Sequence, residues 1–282
     1  MHSCQISAEL TPTGLQIIST TNEVKKILLT QVNQNGHRPY LHPIVLPGHT
    51  FELTQNAPQH HPWQHGLYFA YHGINGADFW LDHGDGVGRY SENQTHIVSQ
   101  APHIISWQSR CKGNHQNGME LFQEQITWLM SIKNDRIYLK PKYEMTALTD
   151  LTIDQCLYGG LFLRMPWKKD LSVFVENSAG DLGLEAEQKQ ADWIDMRSNW
   201  GSTDLQEYGV LIVQLPQEGQ VAAPWRVDKN YGVGPSEVIK GSLKIDKGAT
   251  LKLCYMLVFY AGQLIKEDRT QILNSLQEPI NV

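Results

Sequence analysis

The sequence is poor in cysteine and has no long apolar run. Four of its 282 residues are cysteine, scattered without a C-x-x-C pair. This indicates free thiols in a reducing compartment rather than a disulfide framework. The longest apolar stretch, YMLVFYAG at 255–262, is far shorter than the roughly 18 residues that a membrane helix needs. The start, MHSCQISAEL, has neither the basic nor the apolar segment of a signal peptide. We therefore predict a cytoplasmic protein with no membrane partner.

A basic face is also missing. The chain carries 23 lysines and arginines against 29 aspartates and glutamates, a formal net charge of −6, whereas nucleic-acid-binding domains concentrate positive charge on one face. Apolar residues make up 41% and charged residues 18%, which is typical of globular proteins and excludes a disordered chain. We predict no nucleic-acid partner.

Helix signals are sparse, whereas β-type segments recur along the whole chain. Stretches such as GLQIIST, RIYLKPKYEMTAL and GATLKLCYMLVFYAG are rich in β-branched and aromatic residues, and turn residues such as NQNG, KND and DKG separate them. The alternation in THIVSQAPHIISW is typical of half-buried antiparallel strands. The pattern predicts a single all-β domain over residues 1–282, a large antiparallel sandwich or barrel. One short helix is expected near residues 266–277.

The histidines are concentrated in one part of the chain. Eleven of the twelve lie between His37 and His115. In RPYLH, Arg38, Tyr40 and His42 are two residues apart, so an extended strand projects all three from one face. A cation, a phenol and an imidazole are costly to bury without partners. They predict either a polar pocket wall or a solvent-facing, hydrogen-bonded strand.

The stretch HHPWQHGLYF admits three interpretations. His61, Trp63 and His65 share a face if the chain is extended, and Pro62 favours a loop or a sheet edge. The H-x-x-x-H spacing is a zinc spacing on helices, and neighbouring strands could add His42 or His72. The alternatives are acid–base or substrate contact without a metal, and a structural corner.

The next segment, NGADFWLDHGDG, contains closely spaced aspartates that could suggest a calcium loop. Counted from Asp78, it lacks the glycine at the sixth and the glutamate at the twelfth position of an EF-hand. We interpret it as a turn-rich surface hairpin.

Three later stretches combine aromatic and charged residues. GGLFLRMPW places Arg164 in an apolar strand, where an arginine needs a specific partner. ADWIDMRSNWG contributes Asp195, and APWRVDKNYGVGP contributes Trp225, Arg226 and Tyr231. Flat rings beside hydrogen-bonding side chains can hold a sugar, although such combinations also occur in ordinary loops.

Several of these blocks together resemble a known family. RPYLHPIVLPG, HHPWQHGLYF and NGADFW, followed by LFLRMP, ADWIDM and PWRVDKNYGVGP, resemble the bacterial PmoA-like family, also called methane oxygenase PmoA. The resemblance spans roughly residues 36–260. It implies a fold similar to the galactose-mutarotase-like β-supersandwich and a carbohydrate-related context. In mutarotase-like enzymes a histidine acts as general acid, a carboxylate as general base, and an arginine and a second histidine hold the sugar.

The residues and the resemblance lead to one hypothesis: a carbohydrate-active protein with an open, concave site and no cofactor. His65 is the expected proton-transfer group, because an imidazole titrates near neutral pH, with His61 assisting and Asp195 as the complementary carboxylate. Whether it catalyses epimerisation, hydrolysis or elimination, or only binds, stays open, as does its oligomeric state. The residues expected to hold a small-molecule carbohydrate are Arg38, Tyr40, His42, Arg164, Trp225, Arg226 and Tyr231.

Two alternatives remain. In the first, His42, His61 and His65 bind zinc or iron in a hydrolase or an oxygenase. In the second, the chain is a non-catalytic accessory protein that binds glycans.

Overall fold

The computed structural model describes residues 5–200, 202 and 206–276. They form an all-β fold of large antiparallel sheets with little helix, as predicted. The strands, in chain order, are β1 (Gln5–Thr11), β2 (Gly14–Thr21), β3 (Val24–Val32), β4 (Tyr40–Ile44), β5 (Leu67–Tyr71), β6 (Arg89–Ala101), β7 (Ile104–Asn114), β8 (Glu120–Lys133), β9 (Arg136–Ala147), β10 (Leu151–Ile153), β11 (Gly159–Arg164), β12 (Phe174–Asn177), β13 (Trp193–Ser198), β14 (Tyr208–Gln214), β15 (Trp225–Val227), β16 (Gly232–Pro235), β17 (Leu243–Ile245) and β18 (Thr250–Ala261).

The strands assemble into two eight-stranded sheets and one small ribbon. The first sheet has the order β1-β2-β3-β4-β5-β11-β16-β15, the second has the order β12-β13-β14-β18-β9-β8-β7-β6, and β10 pairs with β17. All pairings between these strands are antiparallel. One apolar core joins side chains from both large sheets, such as Leu67 and Phe69 of the first and Ile126 and Met145 of the second. This packing of two sheets is what the alternating patterns predict.

Helix is confined to two short elements in the described part of the chain: a 3-10 turn at Gly183–Ala186 and the helix α1, Lys266–Ser275. The predicted helix at residues 266–277 is therefore present, and its last predicted residue lies outside the described ranges. α1 contributes Ile272 to an apolar cluster with Leu211, Val213 and Met256 on the second sheet. Over those ranges, no helix is long and apolar enough to cross a membrane.

The first sheet has a second packed side. In β5, Leu67, Phe69 and Tyr71 enter the main core, whereas Tyr68 and Ala70 point the other way. Tyr68 and Ala70 form a separate cluster with Trp80 and Phe162. We call this side of the sheet, turned away from the second sheet, the outer face. Most of the site residues predicted from the sequence lie on this outer face.

Candidate functional site

Strand β4 places two of the predicted site residues on the outer face. Tyr40 packs against the outer-face cluster, whereas Leu41 enters the main core. The Tyr40 ring stacks on His65, with 4.8 Å between ring centroids. His42, two residues after Tyr40, projects from the same side of the strand. Arg38 also lies on the outer face, since its guanidinium is 4.5 Å from the Tyr68 ring centroid. Contacts therefore place Arg38 and Tyr40 on this face, and the strand period places His42 with them.

His65 is held by oxygen atoms at both ring nitrogens. Its Nδ1 lies 2.6 Å from Asn56 Oδ1, and its Nε2 lies 2.7 Å from Asp82 Oδ2. Both oxygens can accept a hydrogen bond from a ring N–H, so the two contacts fix the orientation of the imidazole. Burial acts to raise the pKa of Asp82, but the hydrogen bond from His65 and the charge of Arg38 outweigh it and lower that pKa. Asp82 is therefore an anion at neutral pH.

Arg38 holds the backbone around the His65–Asp82 pair. It is buried and donates hydrogen bonds to the backbone carbonyls of Trp63 and Trp80, the latter at 2.6 Å. Its Nη2 also lies 3.3 Å from Asp82 Oδ1. With these partners, Arg38 fixes the loop that carries Asp82 and presents little surface to a ligand, in contrast to the predicted role in holding substrate.

His42 has a different environment from that of its neighbour His65. Its Nδ1 lies 2.8 Å from Thr54 Oγ1, and its Nε2 lies 3.8 Å from a carboxylate oxygen of the exposed Glu52. Burial lowers the pKa of His42; the charge of Glu52 opposes this shift, and His65 adds to it. His42 is consequently neutral at pH 7. A shallow depression of about 360 Å³ lies beside it, lined by His42, Phe51, Glu52, Thr54, Gln55, Asn56 and Pro166.

His60 and His61 form a second histidine pair. Their rings are 5.0 Å apart, and the His61 ring lies 5.6 Å from that of Trp63. Burial and the charge of Arg164 lower the pKa of both. His60 Nε2 and His61 Nδ1 are buried and have no hydrogen-bond partner among the described residues. The pair is therefore neutral at pH 7 and keeps unused hydrogen-bonding capacity.

Arg164 is fully buried on the outer face and organises the loops around it. It donates to Gln64 Oε1 at 2.6 Å, to the Asn230 carbonyl at 2.8 Å and to Asp228 Oδ2 at 2.8 Å. Asp228 is thus the specific charged partner that an arginine in an apolar strand requires. These bonds join the 228–231 loop to the loop before β5, and they leave Arg164 no exposed surface for a sugar.

The three predicted residues of β15 and the loop after it differ in accessibility. Trp225 is fully buried, and its Nε1 donates to the Ala191 carbonyl at 2.8 Å, so it is a core residue. Arg226 is partly exposed and pairs with Glu187. Tyr231 is partly buried against the main core. Arg226 is therefore the one charged, partly exposed residue of the three, and its charge acts on His61 of the His60–His61 pair.

Asp195 lies apart from the histidines. It sits in β13 of the second sheet, fully buried, where it accepts a hydrogen bond from the Tyr260 hydroxyl and one from Arg269 of α1 at 3.2 Å. Burial raises the pKa of Asp195, and these two partners oppose the shift. The structure therefore does not bring Asp195 to His65, because β13 belongs to the other sheet. Its contacts attach the C-terminal helix.

We expect Asp195→Asn to destabilise the fold without affecting ligand binding on the outer face. The substitution removes the charge that pairs with Arg269 inside the protein, and hydrogen bonds to charged groups contribute about 1.5–3 kcal/mol. Urea unfolding should show a loss of that size. Asp192→Asn, at the neighbouring exposed aspartate, is the matched control. A variant that keeps full stability but loses sugar binding would reverse this assignment.

The alternative metal ligands are not assembled. Over residues 5–200, 202 and 206–276, no group of three or more histidine, cysteine, aspartate or glutamate side chains is placed so that it could hold a metal ion. His42 contacts Thr54, and His65 contacts Asn56 and Asp82. His61 lies with His60 and Trp63.

The sequence interpretation missed the carboxylates that accompany the histidines. Asp78 and Asp82 belong to the segment interpreted as a surface hairpin, yet Asp82 bonds His65 and Asp78 bonds His72, each at 2.7 Å. The signal was their position four residues apart around Phe79, Trp80 and Leu81. Only the folded chain shows that Phe79 enters the main core while Trp80 and Leu81 pack on the outer face, which fixes the loop.

Comparisons with known proteins give a family but no function. The model of DUF6807, described as a family of unknown function, matches residues 26–274. No curated protein matches the chain. The matched family carries no stated activity, so the PmoA-like resemblance stays a prediction.

Solved structures of low sequence identity also match. A galactose mutarotase related enzyme from Lactobacillus acidophilus has 7% identity and a TM-score of 0.40, covering 90% of this chain and 97% of its own. An Escherichia coli K12 protein provisionally described as an aldose 1-epimerase has 11% identity and a TM-score of 0.40, covering 93% and 100%. An α-galactosidase from Lactobacillus brevis has 10% identity and a TM-score of 0.37, covering 92% of this chain and 40% of its own.

Proposed function

Since the chain belongs to DUF6807, a family of unknown function, we propose from the geometry of its outer face that it is a carbohydrate-active protein. It binds a sugar or sugar acid in the depression beside His42 and transfers protons to and from it. The observation that carries the proposal is the pairing of a neutral His42 with a neighbouring His65 held between two oxygen acceptors.

The two histidines suit opposite roles in proton transfer. His42 is neutral, and in the tautomer whose Nδ1–H donates to the Thr54 hydroxyl, Nε2 can take a proton from a ligand hydroxyl. We assign His65 the role of the acid on geometry. Its Nδ1 bonds Asn56, which lines the depression, so a ligand oxygen can replace Asn56 Oδ1 as the acceptor of that N–H while Asp82 holds Nε2. Two titratable groups in different environments are a usual source of acid and base in one site. The proposal involves no metal and no organic cofactor.

The surroundings of the histidines suit a sugar more than a purely apolar ligand. The depression of about 360 Å³ combines Glu52, Thr54, Gln55 and Asn56 with the apolar Phe51 and Pro166. Small-molecule sites commonly have this size range and place a few polar groups among apolar ones. Carboxylate, amide and hydroxyl groups can bond sugar hydroxyls, while the apolar side chains contact the C–H face of the ring.

Part of the outer face also suits an anionic sugar. Arg226 is paired with Glu187 but partly exposed, and it lies close enough to His61 for its charge to lower the pKa of that imidazole. A carboxylate on the ligand could replace or share the contact with Glu187. We therefore include uronic acids among the proposed ligands.

Binding is tested by thermal unfolding with a panel of hexoses, pentoses and uronic acids, and anomer exchange of each hit is followed by NMR. A ligand at 100 times its Kd stabilises a protein by about 2.7 kcal/mol, which for a chain of this size is a rise of roughly 5–10 °C in Tm. We expect His42→Gln and His65→Gln each to abolish either the ligand-induced rise in Tm or the anomer exchange seen by NMR.

The matched control is His96→Gln, an exposed histidine in β6 of the second sheet, which should behave as the parent. Binding without conversion of any sugar would favour the glycan-binding accessory role. A parent protein that binds no sugar in the panel contradicts the proposal.

A further inference from the structure

A second histidine–aspartate pair lies at the opposite end of β5 from His65. His72 directly follows the strand, and its Nδ1 is 2.7 Å from Asp78 Oδ2. The other carboxylate oxygen accepts the backbone N–H of Trp80 at 2.7 Å and that of Leu81 at 3.1 Å. The carboxylate is therefore fixed by the loop, and it holds the Nδ1–H tautomer of His72 in one orientation.

The other ring nitrogen of His72 is available. Nε2 has no hydrogen-bond partner among the described residues, and the His72 side chain is 44% exposed. His65, by comparison, is 14% exposed and has both nitrogens occupied. A fixed imidazole with a free acceptor nitrogen can accept a hydrogen bond from a ligand hydroxyl.

An aromatic surface adjoins this nitrogen. The Tyr158 ring lies 6.4 Å from the His72 ring and packs against the buried Trp80, with 4.2 Å between centroids and 36° between the ring planes. Burial, with a contribution from Cys156, raises the pKa of Tyr158 to about 12. Its hydroxyl is therefore neutral, and the ring supplies a flat apolar surface with one polar atom, as aromatic residues at binding sites do.

One buried cluster supports aromatic side chains beside both histidine–aspartate pairs, Tyr40 at His65 and Tyr158 at His72. Tyr40, Trp63, Leu81 and Tyr158 are all partly exposed and pack on the same buried outer-face cluster. The five residues of β5 extend over roughly 16 Å at 3.2–3.4 Å per residue. This is longer than one sugar ring, so a monosaccharide over His42 cannot also reach His72.

We infer that the ligand of the outer face is an oligosaccharide that lies along β5, with its far end bonded to His72 and packed on Tyr158. The inference rests on the proposed function and names its ligand class. Asp78 is a positioning residue, because it touches His72 and the loop but not the sugar.

The test is a calorimetric titration with a chain-length series, from monosaccharide to tetrasaccharide, of the sugar identified by the panel. In the parent protein, affinity should rise with chain length. His72→Gln should lose about three- to tenfold in affinity for the longest ligand, the usual size of one hydrogen bond, and Tyr158→Ala should lose more. Both variants should keep the parent affinity for the monosaccharide, whereas His42→Gln should lose it.

Two controls separate the possible failures. His96→Gln should match the parent at every chain length. Asp78→Asn keeps an oxygen for the N–H groups of Trp80 and Leu81, and nitrogen-15 NMR should show that His72 loses its fixed tautomer. Affinity that is independent of chain length, or unchanged in His72→Gln, overturns the inference and leaves the proposed function standing. A parent protein that binds no saccharide overturns both.

Discussion

Replacing Arg164 by methionine is expected to destabilise the protein by about 3–5 kcal/mol, the usual cost of removing one partner of a buried ion pair. Arg164 is fully buried, and its guanidinium satisfies Gln64, the Asn230 carbonyl and Asp228. Methionine has a similar length but no donor, so the Asp228 carboxylate is left without its cation in a nearly dry position. Urea unfolding measured by circular dichroism gives the difference in unfolding free energy.

The matched control is Arg110→Met. Arg110 is an exposed residue of β7, bonded to Gln125, and surface contacts of this kind contribute little. We expect its unfolding free energy to remain within about 0.5 kcal/mol of the parent. If Arg164→Met costs no more than this control, the arginine does not organise the outer-face loops, and its predicted role in holding substrate regains support.

Glu124 should make stability depend on pH. It lies in the core between the sheets, where burial raises its pKa to about 7, although hydrogen bonds from Tyr143 and Cys111 act to lower it. In the unfolded chain, glutamate ionises near its ordinary pKa of 4.5. The folded protein therefore keeps a proton that the unfolded chain loses between these values, and stability falls as pH rises through this range.

The comparison of parent and Glu124→Gln isolates this contribution. The difference in their unfolding free energies should change by on the order of 3 kcal/mol between pH 4.5 and pH 8, with the parent losing stability. Glu120→Gln, at an exposed position in the same strand, should retain the parental decline. A constant difference between parent and Glu124→Gln over this range would show that Glu124 ionises freely in the fold.

The all-β antiparallel class could be predicted from local pattern, because strand alternation and turn residues act over short distances, whereas the supersandwich was implied only by the family resemblance. The helix α1 was identified in the same way, from its apolar spacing. The placement of Tyr40 and His42 on one face also followed from the two-residue period of β4. Each of these features depends on the sequence of a single strand or helix.

The site was predictable only in part, because its chemistry depends on partners far away in sequence. An arginine in an apolar strand indicates a partner, but the sequence does not name Asp228, which is 64 positions away. Arg38 and Trp225 were assigned to substrate for their chemical type, yet the fold buries both. Asp195 was assigned for proximity to an aromatic residue, and the sheet order places it under α1.

The most direct test of the account is a nitrogen-15 NMR titration of the histidine side chains with the tightest-binding saccharide. We predict that the signals of His42 and His65 shift together, with saturation at the Kd found by calorimetry, and that His96 on the second sheet does not shift. Saturable binding that leaves His42 and His65 unchanged would place the sugar elsewhere and contradict the assignment of the outer face as the functional site.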